Sequence, residues 1–268
     1  MKKSILLILF TITGLVGNAQ NFNIEDFNRK AQTAEYLYEY DMIAWRTSDS
    51  VMTENKIELE KLGSEWFCIK YDNYWRAFYG KDEKGKFNTV FQYNVDSSYH
   101  VKRIYEKNDS TLLNSFSRAL VNSVRQIEPI KDSINLRFNQ YLRKNENNEI
   151  EVWILPAFQP NSTAVFGGEF YYKFDSTGNQ LLTKEEYFQG NFRGFKVGEP
   201  REIWLNYTDV DKPTLGSIFF VWYYKKYFTK INIETSKSIS TVIKSGDSYT
   251  WLHVEKDMNK KRKKRKNK

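Results

Sequence analysis

Aromatic residues are abundant in this chain and constrain the folds open to it. The 268 residues include 18 Tyr, 19 Phe and 7 Trp but only 5 Pro. Large aromatic side chains are enriched in β-strands, where they pack well on a pleated surface. Long parts of the sequence also alternate with a period of two. Composition and pattern together favour a fold rich in extended strands over a helical bundle.

After its first twenty residues, the sequence predicts a helix followed by an antiparallel meander. Asn23 is a typical helix N-cap, and apolar residues then recur on one helical face up to about Trp45. A shorter helix is expected near 53–62, with Gly63 placed to end it. The hydrophobic pattern then changes to a period of two, which is typical of strands. The four predicted strands are 66–71, 74–79, 87–94 and 99–106.

The same order of elements is then repeated with more strands. A helix is expected to follow Asn108 and to end at Pro129. The strands predicted after it are 149–155, 169–174, 180–187, 201–207, 217–224, 227–234, 238–244 and 248–255. Segregated helices and strands indicate the α+β class, with curved antiparallel sheets in two helix-then-meander units. These units, 20–108 and 109–257, are either two domains or parts of one.

The N-terminal segment 1–19 has the layout of a secretory signal peptide. Lys2 and Lys3 precede an apolar run that is too short for an ordinary membrane span, and small residues precede Gln20. We therefore expect an exported protein, periplasmic or secreted, without a transmembrane segment after cleavage. Because Cys68 is the only cysteine, no internal disulfide can form, and the hydrophobic core must supply the stability.

The net charge of +8 comes from the C-terminal end of the chain. Without that run and without Lys2 and Lys3, 31 basic residues face 33 acidic ones, so the body is not a basic nucleic-acid binder. We expect segment 258–268 to be a disordered tail that either keeps the protein soluble or adheres to an anionic envelope component or glycan. Its candidate anion-binding residues are Lys260, Lys261, Arg262, Lys263, Lys264, Arg265, Lys266 and Lys268.

A run of seven aromatic residues within 219–228 is the densest apolar segment. A strand that is apolar on both faces is usually a central strand of the core. The alternative is a concave sheet whose open face stacks against sugar rings or holds an acyl chain. On this alternative, Trp222 and Tyr224 are the candidate ligand-binding residues.

The ionisable side chains do not select a catalytic site. His100 and His253 have no second histidine or cysteine at zinc-ligand spacing, and Cys68 sits in an apolar strand pattern. Carboxylates occur together at Glu35, Glu39 and Asp41 on the first helix, where a solvated helix face is expected. A further pair, Glu185–Glu186, lies in a predicted hairpin.

No recognised catalytic or cofactor motif occurs in the chain. The sequence lacks a Gly-x-Ser-x-Gly elbow, a His-Glu-x-x-His motif, a phosphate-binding loop and a Gly-x-Gly-x-x-Gly fingerprint. We therefore predict no cofactor, no metal and no catalytic residue that can be named from the sequence. A glycosidase-like carboxylate pair would have to be assembled by the fold.

Three short stretches, 40–49, 65–68 and 155–157 followed by 167–170, resemble segments of exported bacterial proteins of unassigned function. The resemblance implies a periplasmic or secreted setting and no activity. We expect an exported, non-catalytic binding protein for a glycan, a lipid or another protein. The alternatives are a hydrolase whose carboxylates and histidine converge in three dimensions, and a structural or adhesive module held by its basic tail.

Overall fold

The computed structural model describes residues 22–131 and 134–256, which form four helices and three four-stranded, mostly antiparallel sheets. The predicted α+β class is confirmed, and none of the sheets is closed into a barrel. The predicted signal peptide 1–19 and the basic residues of the tail 258–268 lie outside the described residues. No helix within the described part of the chain is long and apolar enough to cross a bilayer.

Helix α1 (Ile24–Met52) is longer than its sequence pattern predicts. The Asn23 side chain accepts a hydrogen bond from the backbone N–H of Asp26 at 2.9 Å, so the predicted N-cap is present. The helix continues past Trp45 because its last two turns still bury residues against the first sheet. The short helix expected next is a single turn, α2 (Lys56–Leu59).

The first sheet is the predicted meander, with strand order β1-β2-β3-β4 and antiparallel pairing throughout. Helix α1 packs against it and is fixed by Tyr40, whose hydroxyl oxygen accepts a hydrogen bond from the backbone N–H of Cys68 at 2.8 Å. The strands are β1 (Glu65–Lys70), β2 (Tyr74–Glu83), β3 (Lys86–Asp96) and β4 (Val101–Arg103).

Helix α3 (Ser110–Lys131) joins the first sheet to the second. The backbone N–H of Phe87 donates to Asn114 Oδ1 at 2.7 Å, and Arg118 donates to the carbonyl oxygens of Gly85 at 3.0 Å and Thr177 at 2.9 Å. The second sheet is an antiparallel meander in chain order. Its strands are β5 (Phe138–Lys144), β6 (Ile150–Pro156), β7 (Thr163–Phe174) and β8 (Leu181–Lys196).

The third sheet corrects two expectations. The segment predicted as a strand at 217–224 is helix α4 (Leu215–Tyr224), and the strand after it begins at Lys230. This helix connects two neighbouring parallel strands, so one βαβ unit interrupts the predicted antiparallel meander. The strands are β9 (Glu202–Tyr207), β10 (Lys230–Thr235), β11 (Ser238–Ser245) and β12 (Ser248–Glu255).

Burial explains why the sequence pattern of α4 indicates a strand although the segment is a helix. Ile218, Phe219, Phe220 and Val221 are all buried, so the helix has no polar face from which a period of 3.6 could be detected. A local signal is present at its start, where the Thr214 hydroxyl accepts a hydrogen bond from the backbone N–H of Ser217 at 3.2 Å. Buried apolar residues from all three sheets form one continuous cluster, and the division into units at residue 108 stays a prediction.

The turn of the β7–β8 hairpin gives a test of this packing. Gly178 has a φ of +74°, and a Cβ there would lie 2.1 Å from the carbonyl oxygen of Ser115 in α3. We expect Gly178→Ala to lower the free energy of unfolding in urea by about 3 kcal/mol, through backbone strain and overpacking together. Gly246→Ala is the matched control, since Gly246 also has a positive φ but has open space around it. It should cost about 1 kcal/mol, and equal losses in both variants would contradict the docking of this turn on α3.

Candidate functional site

A cavity of about 1010 Å³ lies where α1, the ends of α3 and α4, and the start of β5 meet. We call it the aromatic cavity. Helix α4 and the turn after it contribute Tyr223, Tyr224 and Tyr227 to its wall. The other aromatic residues that line it are Tyr38, Trp45, Trp66, Phe138 and Phe158.

Three of these rings remain accessible to solvent. Trp45 is 64% exposed, Tyr227 is 53% exposed and Phe158 is 44% exposed, whereas the aromatic residues of the core are almost completely covered. Exposed aromatic rings that share one concave wall are unusual on a protein surface and are typical of binding sites. The cavity therefore combines exposed aromatic rings, on which a ligand could pack, with a largely apolar interior.

A buried carboxylate lies in the lining of this cavity. Asp41 of α1 is only 6% exposed and accepts three hydrogen bonds. Its Oδ1 accepts from Asn139 Nδ2 at 2.7 Å and from the Tyr141 hydroxyl at 3.0 Å, and its Oδ2 accepts from the Tyr223 hydroxyl at 2.8 Å. An ionised carboxylate has about four acceptor positions. Oδ2 thus keeps one position for a further donor.

The electrostatics of this cluster favour a further donor. Burial raises the pKa of Asp41, and the hydrogen bonds from Tyr223, Tyr141 and Asn139 only partly oppose this effect. Burial and the nearby Asp41 carboxylate also raise the pKa of Tyr223 and of Tyr141, so both hydroxyls stay protonated and act as donors. No cationic side chain among the described residues forms a salt bridge with Asp41.

Amide and basic side chains complete the polar part of the lining. Gln140 lies beside Asn139 on β5, is partly buried, and its side chain makes no hydrogen bond within the described residues. Lys131, Arg137 and Lys226 are exposed residues of the lining. The cavity therefore combines aromatic walls with unused hydrogen-bonding groups.

The two aromatic residues singled out from the sequence lie in different surroundings. Tyr224 is buried and lines the aromatic cavity. Trp222 is not part of this lining, and its ring lies under the Lys225 ammonium, with Nζ 3.7 Å from the ring centroid. A ligand-binding role for either residue stays a prediction.

Asp41 corrects the expectation of a solvated acidic helix face. Glu35 is exposed, and Glu39 is partly exposed and pairs with Lys70 at 2.6 Å, but Asp41 points into the protein. The sequence does contain a signal for this difference. Asp41 follows Leu37 by four residues and precedes Ala44 by three, so it belongs to the apolar stripe of α1.

A second cavity, of about 660 Å³, contains the predicted Glu185–Glu186 pair together with Glu151 and Glu169. Its carboxylates mostly have partners. Glu151 accepts from Arg143 Nε at 2.6 Å and from the Tyr171 hydroxyl at 2.8 Å, and Glu186 accepts from the Tyr172 hydroxyl. Glu169 accepts from the backbone N–H of Gly216 at the start of α4, and burial raises its pKa. These contacts hold strands and a helix end together and single out no acid–base pair.

The remaining candidates are packed into the fold. His253 stacks on Phe22, with ring centroids 4.2 Å apart, and its Nδ1 lies 2.9 Å from the Ser240 hydroxyl oxygen. Burial raises the pKa of the Cys68 thiol well above its usual range. Within the described ranges, no group of three or more His, Cys, Asp or Glu side chains could hold a metal ion.

Comparisons with family models, curated proteins and solved structures find no match to this chain. Segments 40–49, 65–68 and 155–157 all contribute residues to the aromatic cavity, among them Asp41, Trp66 and Ala157, and their resemblance to exported bacterial proteins stays a prediction.

The environment of His253 predicts how stability depends on pH. Burial lowers the pKa of His253 from its ordinary value of 6.5 to about 4. The unfolded chain therefore binds more protons than the folded one between pH 6.5 and 4, and acidification through this window destabilises the fold. We expect the contribution of His253 to reach about 1–2 kcal/mol at pH 4, allowing for solvent screening of a half-buried ring.

The measurement compares urea unfolding of the natural protein and of His253→Phe at pH 7 and at pH 4. The phenylalanine ring keeps the contacts with Phe22 and Phe27 but cannot be protonated. The variant should lose less stability on acidification than the natural protein. Parallel pH profiles for the natural protein and His253→Phe would contradict the prediction.

Proposed function

We propose that this protein is an exported carbohydrate-binding protein and that the aromatic cavity is its ligand site. Export rests on the N-terminal segment 1–19, whose sequence has the layout of a signal peptide. The observation that carries the choice of ligand is the Asp41 carboxylate, with an unfilled acceptor position, in a cavity that also exposes aromatic rings.

Sugars match both the aromatic and the polar residues of this lining. The ring faces of a sugar carry C–H groups that pack on aromatic side chains, and its edges carry hydroxyl groups that donate and accept hydrogen bonds. Trp45, Phe158 and Tyr227 supply accessible aromatic faces, while Asp41 and Gln140 supply polar partners. A few convergent polar groups in a mostly apolar site are what fixes the orientation of a ligand.

An acyl chain fits this lining less well. It would cover the Asp41 carboxylate and the Gln140 amide without offering them a hydrogen bond. An unpaired buried polar group costs about 1–3 kcal/mol, and this cost would fall on the Gln140 amide, because Asp41 already accepts three hydrogen bonds. A ligand with hydroxyl groups avoids this cost, so the polar part of the cavity favours a sugar over a lipid.

The size of the cavity favours an oligosaccharide over a single sugar. Its volume of about 1010 Å³ is at the upper end of the range for small-molecule sites, roughly 300–1000 Å³. The accessible rings extend from α1, at Trp45, to the turn after α4, at Tyr227. Several consecutive sugar rings could therefore pack along the wall between Trp45 and Tyr227.

Removing an accessible ring from the wall should weaken binding. We expect Trp45→Ala to raise the Kd for the bound sugar about tenfold, equivalent to ~1.4 kcal/mol. The measurement is titration calorimetry with hexasaccharides of glucose and of N-acetylglucosamine. Trp204→Ala is the matched control, because Trp204 is 42% exposed but lies outside this lining.

The same titrations distinguish the alternative functions. Binding of palmitate but of no hexasaccharide would contradict the proposal in favour of a lipid. If chromatography shows that the hexasaccharides become shorter during incubation with the protein, a purely binding role is contradicted and a hydrolase is favoured. An equal loss of affinity in Trp45→Ala and Trp204→Ala would exclude the aromatic cavity as the site.

The carboxylate gives an independent test. Asp41→Asn keeps the shape of the side chain, and its amide can donate to the Tyr223 hydroxyl while its oxygen accepts from Asn139 and Tyr141. We expect the Tm to change little but sugar affinity to fall about tenfold, because a hydrogen bond to a charged acceptor is replaced by a weaker one. Glu39→Gln on the same helix is the control and should leave the affinity unchanged. Unchanged affinity in Asp41→Asn would remove this carboxylate from the site.

A further inference from the structure

A third cavity, of about 420 Å³, lies beside the aromatic cavity and is lined by positive charge. We call it the lysine pocket. It is formed where the turn after α4 meets the start of β10, the end of β11 and the start of β12. Four lysines line it, namely Lys225, Lys226, Lys230 and Lys244, and no aspartate or glutamate does. Thr229 and Tyr249 add hydroxyl groups.

These four ammonium groups have no counterion in the described part of the chain. None of them forms a salt bridge there, whereas many other lysines of the protein do. Glu35 of α1 attracts Lys225 but neither lines the pocket nor pairs with it. Lys225 is half-buried and is repelled by the charge of Lys226, while Lys226, Lys230 and Lys244 are exposed. An anion in the pocket would be attracted by all four ammonium groups.

Lys225 is held in place inside this arrangement. Its ammonium donates to the carbonyl oxygen of Trp222 at 2.8 Å and lies 3.7 Å from the Trp222 ring centroid and 5.2 Å from that of Tyr249. Burial and the charge of Lys226 lower the pKa of Lys225 to about 8. A half-buried cation that is fixed by aromatic rings loses little side-chain entropy when it binds an anion.

The lysine pocket and the aromatic cavity are adjacent. Lys226 lines both of them. The Lys225 ammonium lies 5.1 Å from the ring centroid of Tyr38, which belongs to the aromatic cavity, and close to Tyr249 of the lysine pocket. Lys226 therefore borders both cavities, and Lys225 contacts an aromatic ring of each.

We propose that the lysine pocket binds the acidic substituent of the saccharide whose rings occupy the aromatic cavity. This inference rests on the proposed function and narrows it to acidic oligosaccharides. The chemistry recognised is an oxyanion on a sugar, either a sulfate ester or a carboxylate. Both accept hydrogen bonds from ammonium and hydroxyl groups, and the experiment separates them.

The test uses the full-length protein and matched ligands. Each neutral hexasaccharide that binds is compared with its 6-sulfated and its 6-carboxylated derivative by titration calorimetry. We expect at least one acidic derivative to bind about tenfold or more tightly than the neutral parent. The double variant Lys230→Gln/Lys244→Gln should remove most of this preference while leaving the affinity for the neutral parent unchanged. The derivative that shows the preference identifies the oxyanion.

A control with the same change in net charge separates a local from a general effect. Lys86 and Lys102 are exposed, lie outside the lysine pocket and form no salt bridge within the described residues. Lys86→Gln/Lys102→Gln should keep the preference for the acidic derivative. An equal loss in both double variants would overturn the inference, because it would reflect net charge alone.

The remaining outcomes distinguish this inference from the proposed function. If neutral and acidic sugars bind with equal affinity and Trp45→Ala weakens the binding of both, the lysine pocket has no role in binding and the aromatic cavity remains the proposed site. If binding depends on Lys230 and Lys244 but is not affected by Trp45→Ala, the aromatic cavity is not the sugar site. One ligand then does not occupy both cavities. Absence of binding by every sugar, neutral or acidic, overturns both.

Discussion

The buried carboxylate of Asp41 is the interaction on which the arrangement of the helices around the site depends. It joins α1 to Asn139 and Tyr141 of β5 and to Tyr223 of α4, which are 98, 100 and 182 residues away in the chain. Burying one charge without a counterion is unfavourable, and three donors are needed to offset much of the cost. Because all three donors come from outside α1, the carboxylate keeps its partners only while these elements stay together.

Helix α1 is also bound to the sheets on both sides of this point. The Tyr36 hydroxyl donates to the carbonyl oxygen of Leu142 in the second sheet at 3.0 Å, and the Tyr40 hydroxyl accepts from Cys68 in the first. One turn further on, the Tyr79 hydroxyl of β2 donates to the carbonyl oxygen of Ala44 at 3.0 Å. Tyrosine suits these positions, since its ring fills the core while its hydroxyl reaches a backbone partner. The many tyrosines of this chain thus bind its central helix as well as fill its strands.

The sequence was informative where neighbouring residues determine the structure. The first meander and α3 follow from periodicity and turn residues, and the structure has both. Strand β9 pairs with β10 in parallel only because α4 lies between them, and a helix without a polar face has no detectable period. The aromatic cavity combines segments from five regions of the chain, and no local pattern indicates that they meet.

The strand predicted at 217–224 also suggested a different set of aromatic residues for a site from the one that lines the aromatic cavity, because this segment is helix α4. In a strand, Trp222 and Tyr224 would share one face and Tyr223 would lie on the other. In a helix, successive residues are rotated by about 100°, so Trp222 and Tyr224 are about 200° apart around the axis and cannot share one face. The structure accordingly places both tyrosines in the aromatic cavity, whereas Trp222 supports Lys225 at the lysine pocket. The end of one short helix therefore contributes residues to both cavities, which is the arrangement that our proposal of a sugar with an acidic substituent uses.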